Sequence, residues 1–182
     1  MRREFGEAHK SIVDISTIAV SYYAMQNSSD HSNPGPRYSA LLAVLKTSEV
    51  LWNSSRIFFA QWDLSPSQFN VLNLLRQNPK GLSQTELSQT LITHRSNVTG
   101  LVDRLEKREL VSRHETPGDR RAYKVQITRK GHILTSEILP SYYSIAEQVC
   151  GDITKDQLDD LRKVLSSLER NADVITKQLE EQ

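Results

Sequence analysis

The feature that most constrains the fold is a pair of short helical patterns followed at once by an alternating pattern, all between residues 83 and 128. The first helical pattern opens with a capping box from Ser83 to Glu86. A tight turn at Ile92 and Thr93 leads to the second pattern, over residues 94–108, which predicts a helix-turn-helix. The second pattern has apolar residues at i, i+3, i+4 and i+7, which predicts one buried face formed by Val98, Leu101, Val102 and Leu105.

A basic hairpin is predicted directly after this helix pair. The segments LVSRHE, residues 110–115, and AYKVQIT, residues 122–128, are typical of strands, because apolar and polar residues alternate in the second. The predicted turn between them, TPGDRR, carries Arg120 and Arg121 next to Asp119. Helix pairs are common in small helical proteins, whereas a helix pair followed by a basic hairpin indicates a winged helix-turn-helix.

The net formal charge of the chain is only +1, but its charges are unevenly distributed. Ten cationic and five acidic residues lie between His94 and Gly131, which gives this segment a net charge of +5 and leaves −4 for the rest of the chain. A basic middle segment between acidic ends predicts an anionic partner for the middle.

Composition and motifs indicate a cytoplasmic protein that is not an enzyme. Among the 182 residues there is one cysteine, Cys150, which excludes an intramolecular disulfide framework and is predicted to be buried or interfacial. No signal-peptide core and no apolar run of about 18 residues is found. The five histidines lack the spacing of metal ligands, and no catalytic motif is present. We therefore expect no metal, no cofactor, no membrane partner and no catalysis.

Further helices are predicted on the amino-terminal side of this segment. One near residues 4–26 is followed by the linker NSSDHSNPGP, and another runs from Tyr38 to Ala60. A capping box from Ser65 to Gln68 marks the start of a further helix, which precedes the helix-turn-helix. The apolar face of the first of these helices is formed by Ile12, Ile15, Ala19 and Tyr22.

Two helices are predicted after the hairpin. The first contains Pro140, where a kink is expected because proline removes a backbone hydrogen bond. The second opens with a capping box at Thr154 and carries a heptad seam, which predicts another helix packed against it. The seam residues are Leu158, Leu161, Leu165, Leu168, Ala172, Ile175 and Leu179.

The polar side of the helix over residues 94–108 is a candidate surface for reading DNA. An α-helix fits the major groove of B-DNA, where Arg and Asn side chains make bidentate contacts with bases. The same residues are also compatible with a simple solvated face, and Gly100 with either close approach to a nucleic-acid backbone or neutral drift. The candidate contacts are His94, Arg95, Ser96, Asn97, Thr99, Gly100, Asp103, Arg104 and Lys107.

The hairpin tip is a second candidate contact. A hairpin beside a groove-reading helix places its tip over the minor groove, where narrow A·T-rich DNA attracts arginine. We expect Arg120 or Arg121 to insert there. Asp119 is repelled by phosphate, so we expect its carboxylate to orient a neighbouring guanidinium. The alternative is a solvated charged turn.

The segment from Leu87 to Gly131 resembles the DNA-binding core of the MarR family, the multiple antibiotic resistance regulators. The closest matches are VTGLVDRLEKRELV and DRRAYKVQITRKG, the latter resembling the wing signature of that family. The resemblance implies a mainly α-helical winged helix-turn-helix protein with a small β-hairpin wing. It also implies a homodimer built from terminal helices and a pseudo-palindromic double-stranded DNA operator. A small ligand often modulates DNA affinity in such proteins.

Two departures from the family pattern are visible. Glu109 stands where the family often has glycine after the recognition helix, so we expect that turn to be built differently. The first 37 residues also exceed what the family usually carries. By resemblance, an aromatic or phenolic effector is expected near Trp52, Arg56, Phe59 and Trp62, although these are equally compatible with ordinary core residues and a surface arginine.

The expectations together divide the chain into four parts. They are an extension and linker over 1–37, a dimerising core helix over 38–62, the DNA-binding domain over 63–130 and the carboxyl-terminal dimerisation helices over 131–182. The predicted function is a sequence-specific transcriptional regulator of the repressor type, acting in the cytoplasm at the nucleoid. A different function compatible with the same fold is a winged-helix module for protein–protein assembly, without DNA binding.

Overall fold

A computed structural model describes the backbone of residues 35–91, 98–116 and 119–181, and their side chains except those of 116 and 119–122. The predicted helix near residues 4–26, the start of its linker and the turn at Ile92 and Thr93 lie outside the described residues. The chain is mainly helical with one small antiparallel sheet, as predicted.

The described elements follow one another in an order that begins with a long helix and ends with two long helices. They are α1 (Gly35–Phe59), a short 3-10 helix (Ala60–Trp62), α2 (Pro66–Gln77), β1 (Leu82–Ser83), α3 (Gln84–Thr90), α4 (Val98–Lys107), β2 (Val111–Thr116), β3 (Asp119–Ile127), α5 (Arg129–Cys150) and α6 (Lys155–Glu180). None of the described helices is long and apolar enough to span a membrane.

Contacts between residues divide the chain into two compact units, one from residues 1–71 and 85–102 and one from residues 72–84 and 103–182. In the first unit the ring of Phe59 is 1% exposed and stacks on Phe69, with 4.3 Å between ring centroids. The predicted capping box at α2 is present: the amide of Gln68 donates to Ser65 Oγ at 3.2 Å, and the amide of Ser65 donates to Gln68 Oε1 at 2.7 Å. The box satisfies two backbone donors at the start of α2.

The second unit contains a three-stranded sheet in the order β1-β3-β2. The predicted hairpin of β2 and β3 is present, and Val111 and Val125 are buried on one of its faces. Strand β1 could not be predicted from the sequence, because two residues are too few to show alternation. β1 pairs Leu82 with Val125 after Gly81 turns the chain at φ +76°. A Cβ on Gly81 would lie 2.7 Å from the carbonyl oxygen of Val125, so only glycine allows this approach.

The hairpin turn is shorter than predicted. Thr116 pairs with Asp119, so β2 extends to residue 116 and β3 begins at residue 119. Residues 117 and 118 lie outside the described part. Arg120 and Arg121 therefore belong to β3, and their expected position in a six-residue turn is wrong. The register shifts between Glu115 and Thr116, whose partners are Tyr123 and Asp119, so β3 carries three extra residues at this end.

The two long helices of the second unit begin at capped residues. Thr128 caps α5 by accepting from the amide of Gly131, and α5 continues through Pro140. At α6 the predicted capping box of Thr154 and Gln157 is present. The sequence therefore located the start of α6 correctly, while the kink at Pro140 stays a prediction.

Candidate nucleic-acid interface

An arginine on the hairpin is held by two carboxylates of α4. The guanidinium of Arg113, on β2, donates through Nη2 to Asp103 and through Nη1 to Glu106. The backbone amide of Arg113 also donates to Glu106 Oε1 at 3.2 Å. Asp103 and Glu106 are three residues apart, so both project from the same side of α4. The hairpin is thereby fastened to the helix by three hydrogen bonds, which we call the Arg113 clamp.

The charge of Arg113 is largely neutralised within the protein. Burial lowers the pKa of its guanidinium, but the hydrogen bond to Asp103 and the charges of Glu106 and Asp103 outweigh burial and raise the pKa above its usual value. The Arg113 side chain is 22% exposed. A guanidinium engaged in this way positions the hairpin and is not available as a groove contact.

Asp103, which was predicted as a DNA contact, is bound within the protein. The sequence placed it on the DNA-facing side of the helix, whereas its carboxylate binds Arg113. The physical reason is that a carboxylate gains more from a nearby guanidinium than from a phosphate surface that repels it. The orienting role predicted for Asp119 toward Arg120 or Arg121 stays a prediction.

The turn after α4 has the left-handed geometry that usually requires glycine. Glu109 has φ +59°. The amide of Leu110 donates to the carbonyl of Leu105 at 3.0 Å, and the amide of Glu109 donates to the carbonyl of Glu106 at 2.8 Å. These two bonds form a Schellman motif, so the expectation of a differently built turn is wrong.

Contacts with the start of α5 accompany this strained turn. The carbonyl of Glu109 accepts a hydrogen bond from Thr128 Oγ1 at 2.7 Å, and its carboxylate pairs with Lys130 Nζ at 3.1 Å. The carbonyl of Leu110 accepts from the amide of Thr128 at 3.1 Å. The end of α4, the base of the hairpin and the start of α5 are therefore joined at one point.

Gly131 is required at this junction. A Cβ on Gly131 would lie 2.2 Å from the carbonyl oxygen of Leu110 and 2.9 Å from Ile127 Cγ1. The backbone of α5 can approach the turn this closely only because Gly131 has no side chain.

The other candidate contacts on α4 differ in exposure. Thr99, Arg104 and Lys107 are exposed, whereas Gly100 is half-buried and does not face fully outward as predicted. Of the hairpin candidates Asp119, Arg120 and Arg121, the structure describes only the backbone. The predicted contacts at the start of the helix, His94, Arg95, Ser96 and Asn97, lie outside the described residues.

The face of the hairpin opposite the Arg113 clamp is polar. His114 pairs across the strands with Lys124, and Ser112 hydrogen-bonds His114 Nε2 at 2.9 Å. Tyr123, opposite Glu115, is exposed too but lies on the same face as Arg113. Side chains alternate between the two faces of β2, so Arg113 lies on the same face as buried Val111, and His114 lies on the other. This alternation could have identified Arg113 as a residue that faces α4.

Comparison with known proteins places these features in a family. Residues 62–122 match the profile of the MarR family. The transcriptional repressor MprA of Escherichia coli K12 is 33% identical over 127 residues, which cover 68% of this chain and 72% of MprA. The regulator PecS of Dickeya dadantii is 25% identical over 115 residues, covering 62% of this chain and 69% of PecS.

The chain belongs to the MarR family of transcriptional regulators.

Solved structures agree with the fold of this MarR-family chain. A MarR protein from Peptoclostridium difficile superposes with a TM-score of 0.68 at 21% identity, covering 79% of this chain and 91% of that protein. The Staphylococcus aureus MepR–DNA complex has a TM-score of 0.66 at 18% identity, covering 74% of this chain and 97% of the MepR chain. The predicted winged fold and family are confirmed, and the alternative of an assembly module without DNA binding is not favoured.

The heptad seam of α6 has no cover in the single chain. None of the residues of α6, all of which the structure describes, is buried. Leu161, Leu165 and Ile175 are exposed, and Leu158 and Leu168 are half-buried. An exposed apolar seam of this length in a single MarR-family chain can be buried by packing against another helix.

The four residues predicted to bind an effector differ in their exposure. Phe59 is buried in the core, and Trp62 packs against Phe58 with 5.2 Å between ring centroids. Trp52 lies on the exposed surface of α1. Arg56 lines a shallow cavity of about 310 Å³, together with Asp63 and other residues near the start of α2.

Two further expectations concern metals and Cys150. Within the described residues no group of three or more His, Cys, Asp or Glu side chains could hold a metal ion. Cys150, at the end of α5, is a free thiol and half-buried.

Proposed function

We propose that this chain is a sequence-specific double-stranded DNA-binding repressor that acts as a homodimer on a pseudo-palindromic operator. The observation that carries the proposal is the Arg113 clamp, which fastens a basic hairpin to α4 in a chain of the MarR family. A helix and a wing that are held rigidly together can contact adjacent grooves of one duplex without an ordering cost on binding.

The proposed contacts are divided between α4 and the hairpin. Exposed Thr99, Arg104 and Lys107 are proposed to contact bases or phosphates in the major groove, and Gly100 to allow close approach. Asp103 is assigned to positioning, through Arg113. Four residues before α4 and three in β3 complete the proposed surface: His94, Arg95, Ser96, Asn97, Asp119, Arg120 and Arg121.

The proposed homodimer uses the seam of α6 formed by Leu158, Leu161, Leu165, Leu168 and Ile175. Its exposure in the single chain supports this assignment. Two DNA-binding domains, each over residues 63–130, would then contact half-sites about one helical turn apart. We retain 1–37 as an extension, 38–62 and 131–182 as dimerisation regions, and the cytoplasm, on chromosomal DNA, as the place of action.

Regulation by a small aromatic or phenolic effector is part of the proposal. Arg56 at the cavity near the start of α2 supplies a cation for an acidic effector group. Exposed Trp52 and half-buried Trp62 are proposed to supply aromatic surface, while Phe59 is buried in the core.

Fluorescence anisotropy with DNA from upstream of the chain's own gene tests the proposal. Tight binding to this DNA, at least about a hundredfold weaker binding to a scrambled duplex, and a steep decrease in affinity with salt are expected. Equal affinity for both duplexes at every salt concentration would refute sequence-specific regulation.

A further inference from the structure

The helix α1 exposes two apolar surfaces at the ends of one broad arc, with Val44 and Leu51 exposed between them. One includes Leu41 and Trp52, on the side of the helix that carries buried Phe59. The other lies about opposite, at 100° per residue, where Val50 is 64% exposed and Ile57 is 78% exposed. A helix that is apolar on two sides needs two partners, and one seam of a second copy would cover only one side.

The second surface is a regular seam without charged residues. Its positions alternate three and four residues apart, as in a coiled coil. Most of its side chains are small, so another helix could approach closely. All six seam residues are exposed: Ala40, Ala43, Thr47, Val50, Ser54 and Ile57.

The amino-terminal segment contains a matching seam. Within residues 4–26, for which the sequence predicts a helix, apolar residues recur with the same alternation and no charge interrupts them. The charged residues of this segment, such as Glu4, Lys10 and Asp14, lie at other positions. The seam residues are Phe5, Ala8, Ile12, Ile15, Ala19 and Tyr22.

We infer that residues 4–26 form a helix that packs antiparallel on the exposed seam of α1 in the same chain. In one antiparallel alignment of the two helices, every seam residue of the segment lies opposite a seam residue of α1. The connection between the helices is then centred on residue 31. That residue lies within the Ser-, Asn- and Pro-rich stretch before α1. The pairs are Phe5 with Ile57, Ala8 with Ser54, Ile12 with Val50, Ile15 with Thr47, Ala19 with Ala43 and Tyr22 with Ala40.

Length and side-chain size favour this occupant over a second copy of α1. A helix over residues 4–26 is about 34 Å long and α1 about 37 Å, at 1.5 Å per residue, so the two match end to end. The proposed pairs place large Tyr22 on Ala40 and Ile15 on Thr47, whereas two copies of the α1 seam would mostly bring small residues together. A tethered segment also has an effective concentration in the millimolar range.

The docking of this segment does not depend on DNA binding, so a failure of one proposal leaves the other intact. It would cover Val50 and Ile57 and leave the opposite side of α1, with Leu41 and Trp52, for other partners. The extension would therefore be a structural part of the first unit.

Disulfide trapping in the full-length chain tests the docking. In a Cys150→Ser background, the pair Ile12→Cys and Val50→Cys should oxidise to an intramolecular disulfide, because facing positions bring the two Cα atoms within bonding range. The pair Ile12→Cys and Ile57→Cys is the control, since its partner is displaced by about 10 Å along α1. Closure at least tenfold faster for the facing pair, read as a faster-migrating monomer on a non-reducing gel, is expected.

A second facing pair, Ile15→Cys and Thr47→Cys, covers the case in which the first double variant fails to fold. Equal closure rates for the facing and displaced pairs would overturn the docking. Covalent dimers as the main product would also overturn it, because the segment would then occupy the seam of a partner chain.

Discussion

Asp103 of α4 accepts a hydrogen bond from the guanidinium of Arg113 on β2, and this contact joins the helix proposed to read DNA to the wing beside it. Glu106, one helical turn further along, binds the same guanidinium. Because both carboxylates come from one helix, the angle of the hairpin relative to the second half of α4 is set by side chains and not only by the connecting turn.

Breaking the clamp should weaken DNA binding without removing a DNA contact. The double variant Arg113→Gln with Asp103→Asn keeps the net charge, so the slope of log affinity against log salt concentration should stay unchanged. Operator affinity should nevertheless fall about tenfold, roughly 1.4 kcal/mol, because the wing must be ordered on binding. Anisotropy titrations over a salt series measure both quantities, and wild-type affinity in the double variant would show that the clamp does not position the wing.

The clamp should also contribute to stability. A double-mutant cycle with Arg113→Gln and Asp103→Asn should give a coupling free energy of about 0.5–1 kcal/mol in urea unfolding. The value is modest because the Asp103 side chain is 49% exposed and solvent screens the pair. Additive single variants would mean that the two side chains do not interact in solution.

The wing arginines should contribute mainly to affinity for A·T-rich DNA. Arg121→Ala should weaken operator binding by about 1–3 kcal/mol, with a larger loss on A·T-rich than on G·C-rich flanking sequence. Arg170→Ala, which removes an exposed cation from α6, is the matched control and should leave affinity unchanged. Similar losses on both flanks would place Arg121 on phosphate and not in a narrow minor groove.

Much of the fold could be predicted from sequence because its signals are local. The apolar spacing of α4 and the capping boxes at Ser65 and Thr154 involve neighbours within one or two turns. The Arg113 clamp could not be predicted in the same way, since its partners lie on a different element and meet only after folding. Strand β1 was missed because its two residues carry no period of their own.

The turn at Glu109 shows a second limit of sequence reasoning. Glutamate disfavours left-handed backbone geometry, so Glu109 in place of glycine suggested a different turn. The left-handed geometry of Glu109 is kept because hydrogen bonds from Leu110 to Leu105 and from Thr128 to Glu109 stabilise it. Residue preference alone does not reveal such tertiary constraints.

Replacing Glu109 by glycine should therefore stabilise the protein. The left-handed conformation costs a non-glycine residue about 1 kcal/mol or more, whereas the ion pair with Lys130 joins two largely exposed side chains and contributes little. Glu109→Gly should raise the free energy of unfolding by about 0.5–1 kcal/mol, measured by urea denaturation. Lys130→Ala is the control and should change it by less than about 0.5 kcal/mol. A loss of stability in Glu109→Gly would mean that the ion pair outweighs the backbone strain.

Gly131 should tolerate no side chain. Gly131→Ala places a methyl group 2.2 Å from the carbonyl oxygen of Leu110, so either α5 or the turn must shift. The free energy of unfolding should fall by about 2–3 kcal/mol. Gly151→Ala serves as the comparison, because the nearest atom to its Cβ would be 3.9 Å away and only the backbone conformation resists the change. Thermal unfolding of the two variants should rank them in this order, and equal losses would contradict the close packing at Gly131.

The seam of α6 should hold the proposed homodimer together. Leu165 is 39% exposed in the single chain, and its burial against a partner helix would make a charge at this position costly. Leu165→Asp should shift the protein toward monomer in light scattering coupled to size-exclusion chromatography. It should also lower operator affinity at least about tenfold, because two half-sites are no longer bound together. Ser166→Asp, one residue along on the polar side lined by Arg162 and Arg170, should leave the dimer intact. A Leu165→Asp variant that stays dimeric would move the interface away from α6 and toward the exposed side of α1.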